Sequence, residues 1–333
     1  MGIGVLDEEL GLSISKVAET KMKKYVIRIL YDAKGWAYYH RACALQKYAP
    51  DDFEVSIGPD YGKALKEKRH HLVFQLAYSY AKDLRHHCDK AGHSCLIVSS
   101  YNIGWGYANK WLGGTMKPSH AVIINNYEMW DKAGRLPSTY HISNGVDRRI
   151  FKVATPILKR PAKVMWVGSR IHQQVKGYKD FLVPLQTMLR KKNIDLELKL
   201  TNSMSKRNLT LPQMAQWYNT GRIYVVASKT EGTPNPALEA ASCGCVVVST
   251  KVGNMPELIK NGVNGYLCNR NLNELYGAIL KANENIKPMS DAMVKEIAPW
   301  NWQQRSVQFY DLFRQLIEDP QHAPKYKPTV SIK

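Results

Sequence analysis

The sequence predicts an α/β protein built from two doubly wound domains, each with a parallel sheet. Its 333 residues exceed what one hydrophobic core usually serves, and 44% hydrophobic with 23% charged residues is typical of globular chains. Short apolar runs alternate with longer amphipathic stretches in both halves, which is the pattern of βαβ units. Such sheets bind ligands in the crevice beyond the carboxyl ends of their strands.

The first half contains five runs rich in β-branched or apolar residues, which predict the strands of a domain spanning 22–152. They are YVIRILY (25–31), FEVSI (53–57), HLVFQLAY (71–78), CLIVSS (95–100) and AVIIN (121–125). The preceding residues 1–21 are acidic where a secretion signal would be basic. We expect them to form a tail or leader outside the fold.

The second half repeats the pattern and predicts a domain spanning 153–320, followed by a polar, proline-rich tail over 321–333. Its predicted strands are AKVMWVG (162–168), DLELKL (195–200), RIYVVAS (222–228), CVVVST (245–250) and GYLC (265–268). The segments FLVPLQTMLRKK and NELYGAILKAN predict helices between them, and WNWQQRSVQFYDLFRQLI (300–317) predicts a final amphipathic helix. Two prolines and four basic residues mark the boundary at 151–163.

Composition narrows the cellular setting and the partners. No apolar run approaches the roughly 20 residues of a membrane-spanning helix, and the six cysteines form no CxxC pair. We therefore expect a cytoplasmic protein, peripheral to a membrane at most. The net charge of +19 favours a polyanionic partner, either DNA or an anionic membrane surface, although solvated helix faces also explain the densest basic clusters.

The segment with the most chemical information is SKTEGTPNPALEAASCG (228–244). An apolar strand is followed by a Gly/Pro-rich loop and an Ala-rich helix, for which Asn235 is the expected N-cap and Pro236 the first helical residue. A helix N-terminus offers backbone N–H groups and partial positive charge, which suit a diphosphate. Glu231 precedes this helix start and Glu239 lies one turn into the helix.

The spacing of Glu231 and Glu239 resembles the Glu-x7-Glu motif of the family-four retaining glycosyltransferases. The segments HISNGVDRRIF (141–151) and VMWVGSRIHQQVKG (164–177) resemble two further segments of that family. The resemblance covers about residues 141–280. It implies the GT-B fold, in which two Rossmann-like domains face a central cleft.

The resemblance also implies roles for individual residues. Arg170 and Lys176 would hold the diphosphate of a nucleotide-sugar donor, and Glu239 would hold the ribose hydroxyls. The residues expected to bind the donor are Arg170, Lys176, Glu231, Gly232, Thr233, Pro234, Asn235 and Glu239, with Gly35 at the first strand-to-helix turn; Glu231, Arg170 and Lys176 are the expected catalytic residues. Taken singly, Lys176 could instead cap a loop and Glu231 could be a solvated acid.

No Asp-x-Asp motif is present, so we expect no metal, and fixed cations would stabilise the departing diphosphate of a UDP-, GDP- or ADP-sugar. The N-terminal domain departs from the family pattern, because Ser99, Ser100 and Tyr101 stand at a strand end that often carries a histidine there. Candidate substitutes and acceptor-lining aromatic residues are His40, His120, Trp36, Trp105, Tyr107 and Trp111, for which structural roles are equally open.

The predicted function is sugar transfer with retention of configuration from a nucleoside diphosphate sugar to a hydroxyl acceptor. The acceptor would be a membrane-linked saccharide or lipid, or a hydroxymethylated base in DNA. Two alternatives are a nucleotide-sugar epimerase of the same fold, which would convert a donor without an acceptor, and a non-catalytic nucleotide-sugar-binding protein.

Overall fold

A computed structural model describes residues 24–59, 70–76, 95–101, 119–201 and 209–319. These residues form two parallel sheets, one in each half of the chain. The predicted α/β class with two doubly wound domains is therefore confirmed.

The first sheet has the strand order β2-β1-β3-β4-β5-β6. Its strands are β1 (Tyr25–Leu30), β2 (Phe53–Gly58), β3 (Leu72–Gln75), β4 (Leu96–Tyr101), β5 (Ala121–Ile124) and β6 (Thr139–His141). Helix α1 spans Ala37–Lys47 and α2 spans Tyr127–Lys132. The five predicted strands are present. Strand β6 was not predicted, because its three residues, Thr-Tyr-His, are too few to show an alternation of apolar and polar residues.

The second sheet has the order β11-β10-β9-β7-β8. Its strands are β7 (Lys163–Ser169), β8 (Asp195–Thr201), β9 (Ile223–Val226), β10 (Val246–Thr250) and β11 (Gly265–Cys268). The helices are α3 (Val183–Arg190), α4 (Leu211–Tyr218), α5 (Asn235–Ser242), α6 (Met255–Leu258), α7 (Leu272–Glu284) and α8 (Ile286–Glu296). Hydrophobic cores cover both faces of this sheet, as expected for parallel strands.

The last helix, α9 (Trp302–Glu318), crosses back and packs on the first sheet. The rings of Phe309 and Phe313 lie 5.9 and 5.3 Å from that of Phe74, and the Tyr310 hydroxyl donates to the Leu45 carbonyl at 2.7 Å. The assignment of this helix to a domain over 153–320 is therefore wrong. An apolar stripe shows that a helix is buried but not which core buries it.

The chain passes between the lobes twice, once before β7 and once before α9, and these two segments lie side by side. Val146 pairs with Asn301 in an isolated parallel bridge. A Cβ atom on Gly145 would lie only 2.8 Å from the backbone nitrogen of Trp302, so this close approach requires glycine. The contact fixes the relation between the outgoing and returning chain at the base of the interlobe cleft.

The cysteines that the structure describes are free thiols: Cys43, Cys95, Cys243, Cys245 and Cys268. The sixth cysteine, Cys88, lies outside the described residues, as do Trp105, Tyr107 and Trp111. Among the helices that the structure describes, none combines the length and the apolar character needed to cross a membrane.

Candidate active site between the two lobes

A cavity of about 290 Å³ lies between the lobes, at the carboxyl ends of strands from both sheets. The first lobe contributes residues from α1 and from the end of β5, and the second lobe contributes the turn after β7 and the loop before α5. The lining residues are Ala37, Tyr38, Arg41, Asn125, Asn144, His172, Val175, Lys176, Thr230, Glu231, Gly232, Thr233 and Asn235. The predicted loop therefore faces a cleft at the position where doubly wound sheets bind ligands.

Lys176 and Glu231 form an ion pair in this cavity. The Lys176 Nζ lies 2.5 Å from the Glu231 Oε1, and the Ser228 hydroxyl donates to the same oxygen at 2.7 Å. Gly177 follows with φ of +71°, and a Cβ atom there would lie 2.6 Å from the Ala227 carbonyl oxygen. Glycine thus allows the Lys176 turn to press against the end of β9 and to reach Glu231.

Helix α5 begins at Asn235, and Pro234 occupies the N-cap position. The prediction that Asn235 is the N-cap is therefore wrong by one residue. Proline at the second helical position is still tolerated, because the first-turn N–H groups have no intrahelical acceptor. The Asn235 side chain instead accepts a hydrogen bond from the Asn144 side chain at 3.2 Å, which links the loop to the crossing between the lobes.

Glu239 lies on α5, one turn inside the helix. The Tyr218 hydroxyl donates to its Oε2 at 2.9 Å. Burial of the carboxyl group raises the pKa of Glu239 to about 7, and the hydrogen bond from Tyr218 opposes the shift. Glu239 is half-buried and is not among the residues that line the cavity.

Three other predicted donor residues, Arg170, Gly35 and Pro234, are not among the residues that line the cavity. Arg170 starts a short 3-10 turn directly after β7, and its side chain is exposed. Gly35 adopts a left-handed φ of +86° at the bend before α1, as a strand-to-helix turn requires. Of the histidines proposed as substitutes, His120 accepts a hydrogen bond from the Ile97 amide at 2.9 Å, and neither it nor His40 lines the cavity.

Two asparagines that sequence reasoning missed hold the loop from the opposite lobe. The Asn126 side chain is buried, accepts from the Met129 amide at 2.9 Å and donates to the Gly232 carbonyl at 3.0 Å. The Asn125 side chain donates to the Thr233 hydroxyl at 3.0 Å. The sequence could have indicated both asparagines, because they directly follow the carboxyl end of β5, where doubly wound sheets bind ligands.

Arg41 was also missed, and it brings a positive charge to the first-lobe side of the cavity. Its residue exposure is 3%, and its Nη1 donates to the Ser100 hydroxyl at 2.8 Å. The guanidinium lies 5.6 Å from the ring of Phe74 and 5.1 Å from that of Phe309. Burial lowers the pKa of Arg41 to about 10, so the side chain stays protonated at neutral pH.

The described part of the chain offers no cluster of metal ligands. Within the described ranges, no three His, Cys, Asp or Glu side chains come together as a candidate ion site. The charged side chains that face the cavity are Arg41, Lys176 and Glu231, with His172 as a titratable neighbour. Among the described lining residues, Arg41 and Lys176 therefore offer cationic groups to an anionic ligand.

Comparison with protein families finds a match within the second half of the chain. Residues 151–285 match the family model described as Glycosyl transferases group 1. This range includes the turn with Lys176 and the loop with Glu231. The match therefore supports the predicted resemblance for the domain, while the role of the two glutamates stays a prediction.

The curated relatives are D-inositol 3-phosphate glycosyltransferases. That of Paenarthrobacter aurescens is 28% identical over an alignment of 158 positions, which covers 37% of this chain and 37% of the relative. That of Thermobispora bispora is 24% identical over 111 residues, which are 32% of this chain and 26% of the relative. The chain thus matches only about a quarter to a third of the length of these relatives.

Solved structures share the fold across both lobes. The sucrose-phosphate synthase of Thermosynechococcus elongatus superposes with a TM-score of 0.68 and 14% identity, covering 89% of this chain and all of that one. Anabaena HepE, solved in complex with UDP and glucose, gives a TM-score of 0.70 and 14% identity at the same coverage. The chain therefore has the two-lobed GT-B fold that the sequence predicted.

Proposed function

We propose that this protein transfers a sugar from a nucleoside diphosphate sugar to a hydroxyl acceptor with retention of configuration. The observation that carries the proposal is the Lys176–Glu231 pair in the interlobe cavity, inside the segment that matches the glycosyl transferases group 1 model. Gly232 and Thr233 of the loop before α5 line the cavity beside this pair.

A uridine diphosphate sugar is the first donor to test. The solved HepE structures contain UDP or UDP-glucose, and their chain shares its fold with this one. GDP- and ADP-sugars complete the panel. Lys176 and Arg170 would contact the diphosphate, Glu239 the ribose, and Glu231 with the 232–234 backbone the transferring sugar.

The chemistry follows from the charges that change during transfer. The departing nucleoside diphosphate gains negative charge, and a preorganised cation such as Lys176 stabilises that charge more in the transition state than in the ground state. Diphosphate binding would draw Lys176 away from Glu231. The Glu231 carboxylate would then accept a hydrogen bond from a hydroxyl group of the sugar. We propose front-face attack by the acceptor, assisted by the leaving phosphate, without a protein nucleophile.

The acceptor is proposed from charge and from the relatives. A net charge of +19 favours an anionic surface or polymer, either a membrane-linked saccharide or lipid or a hydroxymethylated base in DNA. The names of the curated relatives add D-inositol 3-phosphate to the acceptor panel. We propose a cytoplasmic location, with peripheral membrane contact if the acceptor is a membrane-linked saccharide or lipid.

The deciding experiment incubates the protein with sugar-labelled donors, with and without each acceptor class. The proposal predicts release of nucleoside diphosphate together with label on one acceptor. Conversion of the donor sugar without an acceptor would support an epimerase. Nucleotide binding with no turnover on any acceptor would support a binding protein and contradict the proposal.

The metal requirement gives a separate prediction. We expect the initial rate of transfer to stay within about twofold when 5 mM EDTA is added to an assay that contains about fivefold less magnesium. The reason is that cationic side chains neutralise the leaving group without a metal. The control is a metal-dependent transferase in the same buffer, which must lose activity. A large loss in this protein that manganese or magnesium restores would contradict metal independence.

Glu239 predicts that donor affinity depends on pH. Its raised pKa of about 7 means that the stronger acceptor, the ionised carboxylate, forms only as pH rises through that value. UDP-glucose affinity measured by calorimetry should therefore increase from pH 6 to pH 8, and Glu239→Gln should abolish the increase. A slope that is unchanged in Glu239→Gln would remove Glu239 from the ribose site.

The effect of pH on protein stability through Glu239 should be opposite to its effect on donor affinity. Because its pKa is higher in the folded protein, the folded state binds the proton more tightly than the unfolded state. The contribution of Glu239 to the free energy of unfolding is thus full below the usual carboxyl pKa and is lost as pH rises through about 7. Denaturant titrations of the wild type and of Glu239→Gln at both pH values separate this effect from ligand binding.

Asn126→Ser should lower kcat/KM about tenfold with a small change in Tm. Serine can still cap α2 at Met129 but is too short to reach the Gly232 carbonyl, so the loop loses its tether. Asn126→Ala, which loses both bonds, is the comparison and should also lower Tm. Wild-type kcat/KM in Asn126→Ser would show that the tether has no part in turnover.

A further inference from the structure

A second and larger cavity, of about 620 Å³, opens at the edge of the first sheet. Its volume lies within the usual range of ligand pockets. It is bounded by β6, α2, α9 and Glu257 of α6, and its lining residues are Tyr127, Trp130, Thr139, Tyr140, His141, Ile142, Ser143, Glu257, Trp300, Arg305, Gln308, Asp311, Leu312 and Gln315. We name it the β6 groove.

The β6 groove contains a stacked aromatic platform. The Tyr127 and His141 rings stack with centroids 3.8 Å apart, and the Trp130 ring lies 6.0 Å from His141 in a similar plane. Tyr127 nevertheless remains 48% exposed. A large aromatic side chain that is fixed on one side and open to solvent is suited to stack against a flat apolar face of a ligand.

Glu257 holds the platform in place at the floor of the groove. Its Oε1 accepts from the Tyr127 amide at 2.7 Å, and its Oε2 lies 3.1 Å from the His141 Nε2 and 3.2 Å from the Ser143 hydroxyl. Because Glu257 belongs to the second lobe and its three partners to the first lobe and the crossing, the groove depends on the relation of the two lobes.

Helix α9 supplies the opposite wall with a row of hydrogen-bonding groups. Arg305, Gln308 and Gln315 lie on one helix face, and Gln308 and Gln315 are exposed. The Arg305 guanidinium lies 4.7 Å from the Trp300 ring, and its buried Nε has no hydrogen-bond partner among the described residues. Amide and guanidinium groups of this kind bind hydroxyl oxygens.

The charge of the groove excludes a polyanion. Among the described residues that line the groove, Arg305 is the only Lys or Arg, and the carboxylates of Glu257 and Asp311 oppose its charge. Nucleic acids require several cations along the phosphate backbone, so this surface does not suit DNA. An aromatic platform opposite amide and carboxylate groups instead suits a neutral ligand with many hydroxyl groups.

We propose that the β6 groove binds a neutral oligosaccharide, as a subsite for the part of the acceptor remote from the transfer reaction; this rests on the proposed function. Two short chain segments run between the β6 groove and the interlobe cavity. Asn125 lines the cavity and Tyr127 the groove, and likewise Asn144 lines the cavity and Ser143 the groove. A saccharide chain bound in the groove would therefore lie beside the reacting end.

The test measures saturation-transfer NMR on the full chain with maltohexaose, cellohexaose, chitohexaose and mannohexaose, without a donor. We expect at least one hexamer to bind to the wild type, and Tyr127→Ala to weaken that binding about tenfold through loss of stacking. Gln315→Ala, which leaves the platform intact, should also weaken it. The matched control is Val307→Ala, because Val307 is exposed on α9 but does not line the groove.

Separate readouts distinguish this proposal from the proposed function. UDP-glucose binding should be unchanged in Tyr127→Ala, and where a hexamer accepts sugar, its KM should rise in this variant while the KM of a monosaccharide acceptor and kcat stay constant. No hexamer binding to the wild type, hexamer binding as tight as wild type in both groove variants, or displacement of the hexamer by duplex DNA would overturn the groove proposal. Failure of donor turnover with intact hexamer binding would overturn its role as an acceptor subsite.

Discussion

Lys176→Ala should lower kcat/KM for sugar transfer by about a hundredfold or more. Lys176 is the cation that the structure brings to the loop before α5, and removal of one preorganised group that stabilises developing charge typically has an effect of this size. In the variant, Glu231 keeps its hydrogen bond from the Ser228 hydroxyl but has lost its cation, so the carboxylate would repel an incoming diphosphate. Both effects act in the same direction.

Steady-state kinetics and UDP affinity separate the two effects. Lys176→Arg keeps the charge and should recover part of the activity, whereas the control Lys229→Ala should behave as wild type, because Lys229 is exposed and does not line the cavity. Equal kinetics in Lys176→Ala and wild type would remove Lys176 from the reaction.

Arg160→Leu should lower the free energy of unfolding by about 3–5 kcal/mol. Arg160 is 2% exposed and lies in the segment that enters the second domain. Its guanidinium donates to the carbonyls of Thr155 at 2.6 Å, Gly221 at 3.1 Å and Cys243 at 2.8 Å. A leucine would leave these buried carbonyl groups without their donors, and each unsatisfied group has a substantial free-energy cost.

The measurement is denaturant unfolding of the full chain, with Lys159→Ala as the control. Lys159 is the exposed neighbour of Arg160 in the chain, and its loss should change the free energy of unfolding by less than about 0.5 kcal/mol. A change as small in Arg160→Leu would contradict the structural role given to this side chain.

Strand positions were predictable from sequence because buried parallel strands carry their own signal. The runs VVVST and YVIRIL form β10 and β1 within a residue of their predicted limits. Helix α9 was placed in the wrong domain, since its apolar face is equally compatible with either core and only the Val146–Asn301 crossing decides. Local patterns thus predicted the elements, and long-range packing determined their domain.

The candidate site was predictable where its residues are close in sequence. The loop containing Glu231 could be found because a strand, a Gly/Pro-rich turn and a helix follow one another. Its link to Lys176 came from the family resemblance, and the structure places the two in contact. Arg41 and Asn126 were missed, because a cation on an amphipathic helix and an amide after a strand have common structural roles and reach the cleft only through tertiary packing.

Amide hydrogen exchange with and without the proposed donor, UDP-glucose, tests the central claim most directly, because it locates the ligand on the chain. We expect slowed exchange in two segments, the turn over 170–177 and the loop with the start of α5 over 230–239, with smaller changes in the β6 groove. Absence of protection in both segments at saturating UDP-glucose, or protection confined to another part of the chain, would contradict the assignment of the interlobe cavity as the donor site.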